Sequence, residues 1–166
     1  MTPLPRAVAR NHAEKTLLFK AVKQSRFGFP MGNCLEACFA TLLGVPLSSV
    51  PDPRNEARTR REGAALIEDR ERALQEWLHH TFTLTAVANA GASPPGVLIS
   101  RSDVPLFWIA SGPSERRLQH AVIYSNTKLL FDPHPSDAGL LSVNRWTVLA
   151  PLGPLWDRVV PAETRT

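Results

Sequence analysis

Apolar positions recur with a helical period in the first half of this chain and with a strand period in the second. Over residues 34–43, at about 100° per residue, Cys34, Cys38, Leu42, Leu35, Phe39 and Leu43 fall on one continuous arc, and Glu36, Ala37, Ala40 and Thr41 occupy the rest. The spacing predicts an apolar helix, reached through a loop containing Gly28, Pro30 and Gly32 and closed by Gly44 as a C-cap. Cys34 then lies at the edge of the buried arc, and Cys38, one turn deeper, inside it. Prolines at 46, 51 and 53 prevent the helix from continuing. A second helical stretch is expected from about Asn55 to His80, with Leu66, Ile67, Ala73, Leu74, Trp77 and Leu78 as its apolar stripe and Gly63 marking a kink or a late start.

Beyond residue 80 the period shortens. Phe82, Leu84 and Ala86 alternate with Thr83, Thr85 and Val87, and short apolar runs follow at 97–99 and 106–110. Segments 120–124 and 128–132 flank Ser125-Asn126-Thr127 and read as a hairpin, and 146–150 supplies a last strand. Helices come first and an antiparallel sheet second, so the expected class is α+β.

Length and composition narrow the organisation. A chain of 166 residues, 43% hydrophobic, suits a single domain. The expected layout is a basic N-terminal arm at 1–23, one domain at 24–160 and a polar tail at 161–166. No apolar run approaches the ~18 residues of a membrane span, and the N-terminus lacks the apolar segment of a signal peptide, so a cytoplasmic protein without a membrane partner is expected. Two cysteines spaced i, i+4 on one helix are badly placed to bridge, and both are expected as free thiols. The net charge of +4 leaves nucleic acid open as a partner, through the arm and the Arg-rich 54–72 stretch. Because basic residues are interleaved with acids, a solvated helix face with i, i+4 pairing is favoured there.

The chemistry centres on Cys34. At the first turn of a helix, exposed N–H groups and the positive end of the dipole favour thiolate, the reactive form of cysteine. Nucleophilic catalysis also needs an imidazole to move the proton and a polar group to fix its tautomer. His120 opens a strand, and Asp132, followed by Pro133, ends the next. With a three-residue hairpin loop at 125–127, Tyr124 pairs with Lys128 and His120 lies directly opposite Asp132 on one face. A two-residue loop would put the two on opposite faces. His134 reads as a loop residue, with an alternative orienter or a substrate contact as its other roles. Cys-x-x-x-Cys on one helix is a poor spacing for structural zinc, and His79-His80 reads as a helix C-terminus, so neither metal nor cofactor is expected. The four tryptophans read as core anchors.

Three stretches carry a family resemblance. They are Gln24-Ser-Arg-Phe-Gly-Phe-Pro-Met-Gly-Asn-Cys-Leu-Glu-Ala-Cys and its continuation to Pro51, Ala110-Ser-Gly-Pro-Ser-Glu-Arg-Arg-Leu-Gln-His-Ala-Val, and Phe131-Asp-Pro-His-Pro-Ser-Asp-Ala-Gly-Leu. Together they resemble small papain-like cysteine peptidase-fold proteins of bacteria and their phages, similar in layout to the bacteriocin-processing peptidase domains of ABC transporters. The resemblance implies a nucleophile helix packed on an antiparallel sheet, with Cys34, His120 and Asp132 as nucleophile, base and orienter. It also implies a glutamine before the nucleophile that helps to hold the oxyanion. Gln24, ten positions upstream, matches that residue, and Asn33 and the backbone N–H of Cys34 are rivals for the role. The implied activity is cleavage of an amide or thioester in a peptide or protein substrate through an acyl-enzyme, with deamidation and acyl transfer open to the same parts. A binding module without turnover and a nucleic-acid-associated protein are the alternatives.

Overall fold

The helix around Cys34 forms as its pattern requires. In the computed structural model, which describes residues 20–95 and 106–152, α1 spans Cys34–Leu43. Gly44 ends it in the left-handed conformation at φ 67°, its N–H donating to the carbonyls of Ala40 and Thr41. The helix is not amphipathic, however. Ala37, Ala40, Thr41 and Glu36 are as buried as Cys38 and Phe39, because the chain returns over the side expected to face water. The cover is the 45–56 segment, which makes two 3-10 turns at Leu47–Ser49 and Pro53–Glu56.

The second helical stretch is two helices. Asp52 caps the 3-10 turn through the N–H of Arg54, and a capping box between Thr59 and Glu62 starts α2, Arg60–Ala65. The chain breaks at Leu66 and resumes as α3, Ile67–Phe82, whose last turn carries His79 and His80, as expected for a C-terminus. Gly63 has a reason other than kinking. A side chain there would collide with the sulfur of Met31 in the loop before Cys34, so the glycine lets α2 approach that loop.

Five strands follow among the described residues: β1 Leu84–Ala90, β2 Phe107–Pro113, β3 Gln119–Ser125, β4 Lys128–Phe131 and β5 Arg145–Pro151. They pair antiparallel in the order β1-β5-β2-β3-β4, so the protein is α+β. The strand expected at 97–99, most of the basic arm and the polar tail lie outside the described residues. Val22 and Lys23 lie within the span expected to be arm, yet both are anchored. Val22 N–H donates to Thr41 Oγ1 at 2.9 Å, and Lys23 Nζ donates to the Asp132 carbonyl at 2.8 Å.

Core packs on both faces of the sheet. Ala121 and Ile123 of β3 join Cys38, Phe39, Leu74 and Leu78 beneath the helices. Val122 joins Trp108, Ala110, Trp146 and Val148 on the far side. The central strands therefore read as continuous apolar runs. Trp108 and Trp146 are core anchors, as expected. Among the described residues no helix is long and apolar enough to cross a membrane.

The β3–β4 hairpin departs from the expected three-residue loop. Ser125 pairs with Lys128, so the loop is Asn126-Thr127, with Asn126 at φ 52° as a tight turn requires. Such a loop alone would place His120 and Asp132 on opposite faces. A bulge cancels the slip: Tyr124 pairs with Leu129 but Ile123 with Phe131, leaving Leu130 as the extra residue. Asp132 thereby regains the parity of His120, by a route the loop length does not disclose.

Candidate active site

Asp132 follows β4 directly and is buried. Its Oδ1 accepts from His120 Nε2 at 2.7 Å and from the His134 N–H at 2.7 Å, and its Oδ2 accepts from the Gly139 N–H at 2.8 Å. Burial pushes its pKa up, but these donors outweigh burial and hold it below its ordinary value, so it is ionised at neutral pH. A carboxylate can only accept, which puts the imidazole proton on Nε2 and leaves Nδ1 as the ring's free base. Burial also lowers the His120 pKa, overriding the support of Asp132, so the ring is neutral at pH 7.

Cys34 is half-buried and lines a cavity of about 550 Å³ together with Gln24, His120 and His134. Its sulfur lies against the backbone N–H of Ala121, the residue after His120, and against that of Leu35. The helix N-terminus was expected to favour thiolate. Instead burial raises the thiol pKa, and Glu36 adds to the rise against the lowering effects of the two N–H groups and Arg70. Unliganded, the pair is therefore a neutral thiol and a neutral imidazole. Cys38 is sealed at 0% exposure, as its angular position predicts.

The two amide candidates for the oxyanion site separate. Gln24 lines the cavity, fixed by its backbone N–H to the Pro133 carbonyl at 3.0 Å and by Nε2 donating to the Arg26 carbonyl at 2.9 Å. Nε2 carries a second hydrogen, the donor this side chain has left for substrate. Asn33 is placed away from that cavity. Its Oδ1 accepts from the N–H groups of Ser25 and Arg26, each at 3.0 Å, and its Nδ2 donates to Ser25 Oγ at 3.1 Å. It staples the loop and leaves the first turn of α1 without a side-chain cap, so the Cys34 N–H remains a candidate donor. His134 stands at the rim, its ring 6.0 Å from His120 and 5.2 Å from Phe27, with Nδ1 bonded to Ser136 Oγ at 2.8 Å.

Neither a family model nor a curated protein nor a solved structure matches the chain.

Two features escaped the sequence. Arg54, grouped there with basic residues open to phosphate, is 2% exposed, donating to Asp52 and Glu36 and to the Pro30 carbonyl, so it is not available to nucleic acid. Arg58, Arg60 and Arg61 remain exposed. The second feature is the cavity's apolar rim: Phe27, Phe29 and Leu118 are 51%, 58% and 37% exposed and all line it. Two phenylalanines flanking Gly28 in an aperiodic loop were the available signal.

Proposed function

We propose that the protein is a papain-like cysteine hydrolase acting on amide or thioester bonds, with Cys34 as nucleophile, His120 as base and Asp132 as orienter. The observation that supports it most is the 2.7 Å bond from His120 Nε2 to an ionised Asp132, with the Cys34 sulfur against the very next N–H on the same cavity wall. A buried histidine serving only the core has no need of an ionised carboxylate on its Nε2 while its ring lines a cavity that a cysteine also lines.

With both partners neutral at rest, the proton moves during attack. Cys34 Sγ bonds to the carbonyl carbon while Nδ1 of His120 takes the thiol proton, and Asp132 stabilises the imidazolium across Nε2. Gln24 Nε2 and the Cys34 N–H are the donors for the oxyanion. Collapse breaks the carbonyl–nitrogen or carbonyl–sulfur bond, and the leaving group departs with the proton from His120. Water then attacks the thioester, giving a proton to His120, which returns it to Sγ as the acid leaves.

p-Nitrophenyl acetate tests the reading. Wild type is expected to release p-nitrophenol with a burst and to show an acetyl adduct on Cys34 by mass spectrometry. Cys34→Ala is expected to lose both, and His120→Ala to slow both steps. Release that survives Cys34→Ala unchanged overturns the proposal.

A further inference from the structure

The cavity is lined by both apolar side chains and arginines, and the arginines differ in what already holds them. Arg54 is buried against Asp52 and Glu36. Arg70 stands 3.7 Å from Glu36, Arg72 pairs with Asp69, and Arg145 lies 3.8 Å from Glu71. Arg116 is different. It sits on the β2–β3 turn four residues before His120, and its Nη1 donates to Ser136 Oγ at 2.9 Å. Among the described residues no carboxylate forms an ion pair with it. Ser136 Oγ is in turn bonded to His134 Nδ1, so guanidinium, hydroxyl and imidazole form one line along the rim.

From this we infer that the site takes an anionic substrate, in which a carboxylate docks on Arg116 and a neighbouring aromatic or aliphatic group rests on Phe27, Phe29 and Leu118. The inference rests on the hydrolase reading and names its substrate class: a peptide or acyl compound that carries a carboxylate beside an apolar side chain, close to the bond attacked. A guanidinium satisfied by one neutral hydroxyl keeps most of its donors for a ligand, and its planar fork matches a carboxylate. Exposed phenylalanines beside it provide apolar area that the fold does not cover, the usual composition of a binding cleft with a few oriented polar groups. The positive charge of Arg116 also lowers the pKa of both His120 and His134, so a bound carboxylate would raise them and strengthen His120 as a base.

Matched alkylating agents test this without requiring turnover. N-iodoacetyl-phenylalanine, which carries a carboxylate, and N-iodoacetyl-phenylalaninamide, which does not, are compared for the rate at which they modify Cys34 in the full chain, followed by mass spectrometry. The acid is expected to react about tenfold faster or more, the effect of one charge-assisted hydrogen bond, and its advantage to shrink as salt rises. Arg116→Gln should bring the acid-to-amide ratio near one. Arg117→Asn, which removes the adjacent charge with a residue suited to the left-handed backbone at φ 58°, should keep most of it. Equal rates in wild type, or a ratio that survives Arg116→Gln, overturn the inference. So does protection of Cys34 by a single-stranded oligonucleotide where N-acetylphenylalanine gives none. His120→Ala separates the two ideas: losing the substrate class leaves the His120 dependence of the thiol intact, and losing the hydrolase reading leaves the acid preference without that dependence.

Discussion

Two polar clusters flank α1, and they are built on opposite principles. On the cavity side, Asp132 has each oxygen bonded to a donor, His120 keeps one nitrogen free, and the neighbouring thiol reaches solvent. On the other side, Glu36, Asp52, Arg54 and Arg26 form a closed ion cluster in which Glu36 Oε2 and Arg26 Nε and Nη1 have no partner. The first cluster leaves an uncharged thiol and an uncharged imidazole on the wall of a cavity. The second commits its charges mainly to one another, joining α1, the Pro30 loop and the 45–56 segment. A buried arginine and a cleft-lining histidine are equally polar in sequence; what distinguishes them is whether a donor or acceptor is left over at an open surface.

Breaking the closed cluster should cost the most stability. Arg54→Ala leaves Glu36 and Asp52 buried without their principal cation and is expected to destabilise the fold by ~3–5 kcal/mol in urea denaturation. If it costs under ~1 kcal/mol, the cluster is not what holds the 45–56 segment on α1. Gly112→Ala comes next. Gly112 pairs with His120, and a methyl there would overlap the Ser142 carbonyl, so a loss of ~1–3 kcal/mol is expected together with slower modification of Cys34.

Asp132→Asn sharpens the contrast through pH. The folded pKa of Asp132 is below its ordinary 3.8, so its contribution is present in full above that value and is lost as pH falls through the folded pKa. The melting temperature of Asp132→Asn should therefore lie below wild type at pH 7, by the equivalent of ~1.5–3 kcal/mol for hydrogen bonds to a charged group, and converge on it in strong acid. A gap independent of pH contradicts an ionised orienter. Cys34→Ala should have the smallest effect on stability, within ~1 kcal/mol, since its half-buried sulfur lines a cavity and only packs against the core from outside it.

How much of this was legible in sequence depends on whether the deciding contact is local. The Cys34 helix and its Gly44 cap were, because periodicity and a left-handed terminus are properties of ten or so consecutive residues. So were the depth difference between Cys34 and Cys38 and all five described strands to within a few residues. Periodicity leaves Glu36 off the apolar arc with no sign of its burial, because its partner Arg54 stands eighteen residues later and no periodicity reports that the chain folds back to cover it. The bulge at Leu130 was invisible for a related reason: two-residue and three-residue loops share the same residues, and register is decided by packing along the strand. The thiol's raised pKa likewise follows from tertiary burial opposing a helix terminus that the sequence did reveal.

The central claim is that Cys34 and His120 titrate and react as one unit, and the pH dependence of Cys34 alkylation by iodoacetamide tests it directly. With His120 below its ordinary 6.5 and Cys34 above its ordinary 9.0, the neutral pair and its thiolate–imidazolium tautomer carry the same number of protons across the interval between. The wild-type rate should then fall with pH only until the free thiolate drops below the tautomer and level off from there down to the His120 pKa, whereas in His120→Ala it should keep falling about tenfold per pH unit below the thiol pKa. A tenfold fall per unit in both proteins would show an isolated thiol and contradict the account.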